Sequence, residues 1–149
     1  MDLINTLTLL VSVVTLCLTI MFFELDKPKI QRVRYLNRGD FICICLDIRP
    51  GDKTAEIETI SIKGFKLAKA RVQAPLYEPN SLRMEDWLPP SEAELREEFT
   101  FNVLLSPSGR VLSLTLVCVP ETSSPVREMT IKVSCASFLQ SFRKKVTIK

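Results

Sequence analysis

The chain contains no histidine. That removes Ser-His-Asp and Cys-His nucleophile systems and most catalytic zinc sites at once. Glycine is scarce, with four residues in 149, which excludes a Gly-rich linker. No P-loop, G-x-G-x-x-G or G-x-S-x-G motif is present. Between residues 3 and 23 there is no charge, no Gly and no Pro. The length suits one domain plus an appendage. Hydrophobic residues at 46% and charged residues at 25% make an ordinary folded mixture rather than a disordered one.

The uncharged run is what the chain has in excess. Its 21 residues would span about 31 Å as a helix, close to the roughly 30 Å hydrocarbon core of a bilayer. Fifteen of them are apolar. A cleaved signal peptide fits poorly: the segment before the run lacks basic residues, the run is long, and no small-x-small pair closes it. Residues 1–25 are therefore expected to be a retained single-pass transmembrane helix with a short flank. Lys27, Lys29, Arg32, Arg34 and Arg38 follow it and no Lys or Arg precedes it. Positive-inside bias then places the C-terminal domain in the cytoplasm. The same five cations are candidates for contact with anionic lipid headgroups.

Asn5, Thr8, Ser12, Thr15 and Thr19 step by three and four and form one stripe on this helix. Small hydroxylated residues let helices approach closely, so the stripe is a candidate helix–helix interface. The competing explanation is that the hydroxyls bond back to their own helix carbonyls.

The β-sandwich domain is expected over residues 26–149; from Lys27 onward the chain carries all 20 basic residues and 14 of the 17 acids, a local charge of +6. That is too weak to argue for nucleic acid, and none is expected. Apolar residues alternate with period two. Ile42, Ile44, Leu46 and Ile48 share a face before the Pro50-Gly51-Asp52 turn, and Met129, Ile131, Val133 and Cys135 share another. Phe99, Phe101, Val103 and Leu105, then Leu112, Leu114, Leu116 and Cys118, flank Ser106-Pro107-Ser108-Gly109 and predict a hairpin. Ile57 is out of phase with Ile60 and Ile62, which predicts a bulge near Glu58-Thr59. Residues 30–36 open the domain, and Val146 and Ile148 close it. Seven or so short strands predict an all-β domain: an antiparallel β-sandwich, immunoglobulin-like in architecture.

The stretch 74–98 breaks the pattern. It holds four Pro, the single Trp87 and a run of acids, and is a long loop inside a compact domain. Glu85, Asp86 and Trp87 are its candidate partner-binding residues. Ser91 with Glu94 is a capping box and predicts a helical turn after Pro90.

Cys43, Cys45, Cys118 and Cys135 lack metal-knuckle spacing and are expected to be small buried hydrophobes. A Cys45–Cys118 immunoglobulin-type bridge fits neither the surrounding sequence nor a reducing compartment. Lys63, Lys66, Lys69 and Arg71, interleaved with Phe65, suit either phosphate contact or a solvated strand edge. No catalytic set, cofactor site or metal site is predicted. The expected function is a membrane-anchored interaction module, an accessory or scaffold subunit of a membrane complex. Its partners would be membrane lipids and another transmembrane protein, or further copies of itself. Alternatives are a self-associating membrane effector such as a toxin or pore-related protein, or an adhesion-like extracytoplasmic domain if the topology is inverted.

Overall fold

The computed structural model describes residues 2–73, 88–123, 125 and 128–148, with 25 and 26 described by backbone alone. Leu3–Asp26 form one α-helix, α1. Pro28 ends it, because a proline ring disfavours helical backbone at the residue before it. Lys27 accordingly turns extended, at φ −74° and ψ 143°. Every described side chain of α1 is exposed. Among the described residues, none buries its apolar span.

Among the described residues eight strands follow: β1 (Lys29–Asn37), β2 (Ile42–Arg49), β3 (Ala55–Lys63), β4 (Phe65–Gln73), β5 (Glu98–Leu105), β6 (Leu112–Pro120), β7 (Glu128–Cys135) and β8 (Phe142–Thr147). They form two four-stranded sheets, ordered β1-β2-β6-β4 and β5-β3-β7-β8. All the pairings are antiparallel. This is an all-β sandwich behind an apolar helix.

Ile44, Leu46 and Ile48 from β2 meet Leu114 and Leu116 from β6 in one continuous core. Ile57, Ile60 and Ile62 from β3 and Met129, Ile131 and Val133 from β7 supply the opposite layer. Burying each such side chain contributes about 1.5–3 kcal/mol. The core is built mainly by the two central strands of each sheet.

The register slips between Ile57 and Thr59 against both β5 and β7, where the odd apolar spacing predicts it. Two further slips occur, at Ile30/Arg32 in β1 and Leu67/Lys69 in β4. In each case two core-facing residues are three apart: Ile30 and Val33, Ile57 and Ile60, Leu67 and Ala70. Side chains alternate faces along a strand, so an odd spacing needs one extra residue to keep both inward.

The hairpin expected across Ser106–Gly109 does not form. The turn itself closes, with Gly109 N–H donating to the Ser106 carbonyl at 2.8 Å. Yet β5 pairs with β3 in one sheet, and β6 pairs with β2 and β4 in the other. Residues 106–111 therefore cross the gap of roughly 10 Å between layers. Both strands do face inward, but from opposite sides, and periodicity alone cannot assign a strand to a sheet. A sharper crossing lies at Gly64, whose φ of +80° turns the chain from β3 into β4 with a single residue.

The β2–β3, β5–β6 and β7–β8 connections share the end of the sandwich nearest α1. Gln140 Nε2 donates to the Thr54 carbonyl at 3.2 Å, joining two of them. The β1–β2 turn and the Gly64 corner lie at the far end.

Candidate functional site

Within α1 the hydroxyls of Thr8, Ser12, Thr15 and Thr19 donate to the carbonyls four residues back, each at 2.8 Å. Thr6 does the same to Asp2 at 3.4 Å. An O–H satisfied inside its own helix imposes no unpaired donor on hydrocarbon. Asn5, Thr8, Ser12, Thr15 and Thr19 are all exposed, and each bonded hydroxyl keeps acceptor capacity towards a neighbour.

The five cations after the helix are not held together. Lys27 Nζ lies 2.7 Å from Glu24 Oε1 at the helix end, and Lys29 opens β1. Arg32 and Arg34 follow along the strand, and Arg38 lies beyond its far end. Nine extended residues cover about 30 Å. That far exceeds the screening length of about 8 Å at physiological salt. Arg34 is turned onto its own sheet, with one guanidinium nitrogen 3.3 Å from Cys45 Sγ and 3.9 Å from Asp47 Oδ1.

A cation that periodicity does not single out stands beside the helix end instead. Lys53, in the β2–β3 turn, holds its ammonium 5.7 Å from the centre of the Phe23 ring. Phe23, Lys27, Lys53, Ser137, Leu139 and Gln140 line a small cavity of about 170 Å³ there. Thirty residues separate Lys53 from Phe23, so only the fold brings them together.

Glu85, Asp86 and Trp87 lie outside the described residues. Where the chain is described again, Glu92–Glu94 form a 3-10 turn, and Ser91 N–H donates to Glu94 Oε2 at 3.1 Å. Leu67 and Arg96 then exchange two backbone hydrogen bonds of 2.7 Å, which pins this segment to the edge of β4. Leu95 packs on a second cluster, formed by Phe41, Cys43, Ala68 and Val117 on the outer face of the first sheet. Lys66, Leu95, Glu97, Val119, Pro120 and Glu121 line a cleft of about 510 Å³ beside it. The β4 lysines and Arg71 thus belong to an edge strand, where charge blocks stray pairing.

The four domain thiols are buried and unpaired with one another. Cys45 faces Thr115 across β2 and β6, whereas Cys118 faces Ile42. Cys43 lies in the outer cluster and Cys118 in the main core. Adjacent strands with opposite faces leave no route to a Cys45–Cys118 bridge. Cys118 donates to the Ile42 carbonyl at 3.4 Å, and Cys135 to that of Gln140 at 3.4 Å. Burial pushes Cys118 up to about 12, with the nearby Cys43 adding to the shift. Burial and then Glu58 raise Cys135 to about 11. Burial raises Cys43 as well, against the pull of Arg38. Thiols held neutral in this way are poor nucleophiles at physiological pH. Among the described residues no group of three or more His, Cys, Asp or Glu is placed to hold a metal ion.

α1 is long and apolar enough to cross a bilayer over Leu3–Glu24. In comparisons with protein families, curated proteins and solved structures, none matches the chain.

Proposed function

We propose that the protein is a single-pass membrane-anchored interaction module, an accessory or scaffold subunit of a membrane complex. The observation that carries this reading is α1 itself: an apolar helix with none of its span buried, joined by Lys27-Pro28 to a sandwich that packs without it. Such a helix needs a nonaqueous surrounding, and lipid supplies one. The cations that follow α1 support a cytoplasmic sandwich, and the buried, unbridged thiols suit a reducing compartment.

The sandwich is read as immunoglobulin-like in spatial order. β1, β2, β6 and β4 take the places of strands A, B, E and D, and β5, β3, β7 and β8 those of C′, C, F and G. The chain visits the D place before the C′ place, reversing the usual order. Partner binding is assigned to the stripe on α1, to the segment 74–98 and to the cleft beside Leu95. Purification of the full chain in mild detergent tests this. A second transmembrane polypeptide held at constant ratio is expected, and a monodisperse monomer would contradict it. A ladder of copies of this chain alone would instead support the self-associating effector.

A further inference from the structure

We propose that the end of the sandwich nearest α1 seats on the bilayer surface, with Phe138 and Leu139 entering the headgroup boundary. The inference rests on α1 being a membrane helix, and adds a second, peripheral contact made by the folded domain. Phe138–Gln140 form a 3-10 turn between β7 and β8. Phe138 is 82% exposed and Leu139 46% exposed, although the core a few residues away is closed.

These two are not isolated. Six large hydrophobics of the sandwich are exposed among the described residues: Val72, Leu88, Leu104, Val111, Phe138 and Leu139. The registers place five of them at the helix-proximal end. Val72 pairs with Leu114 near the start of β6, and Leu104 pairs with Glu56 near the start of β3. Val111 immediately precedes β6, and Phe138 and Leu139 cap the β7–β8 turn. Leu88 alone belongs elsewhere, to the segment before the Glu92–Glu94 turn. Scattered exposed apolar residues need no explanation, but a concentration of them at one end of a domain does.

The occupant follows from what adjoins this end. The 3-10 turn shares a cavity with Phe23 and Lys27, where the apolar span of α1 stops. The bilayer surface begins at that level. Lys29 and Lys53 stand near it, with Lys53 over the Phe23 ring, while Lys27 there is ion-paired to Glu24. Apolar residues flanked by lysines match the composition of peripheral surfaces that rest on anionic lipid. The far end, with Asn37, Arg38 and Asp40 in its β1–β2 turn, presents a polar surface.

The test uses the full chain carrying Trp87→Phe, so that one introduced tryptophan reports alone. Phe138→Trp serves as the probe and Asp40→Trp as the far-end control; both sites are exposed and tolerate an aromatic ring. Each variant is reconstituted into phosphatidylcholine–phosphatidylserine vesicles with or without brominated acyl chains. Flotation reads insertion of α1 separately. The expected result is that both variants float, that bromine removes most of the emission at position 138, and that emission at position 40 is unchanged. Floating protein with equal, weak quenching at both positions overturns the seated domain and leaves the anchor intact. Failure of both variants to float overturns the anchor and this inference together.

Discussion

Lys53 and Phe23 meet across the junction between sandwich and helix, with the ammonium 5.7 Å from the ring centre. A cation over an aromatic face contributes about 0.5–1 kcal/mol at an exposed site. That is enough to bias the orientation of the domain and too little to fix it. The contact matters because it shows which end of the sandwich lies beside the helix. Every position on the domain can then be placed as near to or far from the end of α1.

The single-residue corner at Gly64 gives a clean test of backbone strain. Its φ is +80°, and a Cβ built there meets nothing within 4 Å. Gly64→Ala should therefore destabilise by conformation alone, by about 1–2 kcal/mol. Gly64→Asn should cost less, because Asn tolerates the left-handed region better. Urea unfolding midpoints of the three proteins check the ranking.

Alkaline pH should weaken the fold through its thiols. Cys118 is raised to about 12 and Cys135 to about 11, so the folded state favours the neutral forms. The unfolded chain releases these protons near the ordinary thiol value of about 8.5. Stability from this source is complete below that value and is lost as pH rises towards the folded values. Cys118→Ala with Cys135→Ala should lower stability at neutral pH but flatten its decline above about pH 8.5. Denaturant midpoints at neutral and alkaline pH measure both effects.

Leu95 should guard Cys43. The thiol is fully buried in a cluster against which Leu95 packs from outside the sheet. Leu95→Ala removes part of that cover without touching the main core, at a cost of about 1 kcal/mol. Alkylation of Cys43 in the folded protein should then speed up by about fivefold. Cys118, on the other face, should keep its protection. Peptide mapping after timed alkylation distinguishes the two.

The stripe on α1 predicts a difference between two double variants. The hydroxyls already bond within the helix, and interhelical bonds in membranes average about 0.6 kcal/mol, so losing one hydroxyl should change little. Bulk should change more. Ser12→Leu with Thr15→Leu should lower the crosslinked or co-purified fraction, while Val13→Leu with Leu16→Ile should not. Both should still insert, because neither adds charge. Equal association would remove the stripe from the interface.

What could be read from the chain divides along a physical line. Local signals held: the uncharged run forms α1, and the odd step from Ile57 to Ile60 marks a bulge. The same rule applied to Ile30–Val33 and Leu67–Ala70 would have located the other two. Sheet membership was not legible, because Phe99–Leu105 and Leu112–Cys118 alternate equally well as a hairpin or as opposing walls. Nor was the neighbourhood of the helix end. Lys53, Phe138 and Leu139 carry no local pattern, and only the β2–β3 and β7–β8 connections bring Lys53 and Leu139 to Phe23 and Lys27. Conversely, Arg34 and Arg38 follow the helix closely in sequence, yet extended backbone carries Arg38 about 30 Å along β1.

Retention of α1 as an anchor is tested most directly by intact-mass spectrometry of the protein recovered from carbonate-washed membranes. The expected result is a membrane-bound chain whose mass includes residues 1–25. A chain beginning beyond residue 25 and recovered in the aqueous fraction would contradict the anchor, and with it the assignment of the sandwich to a membrane complex.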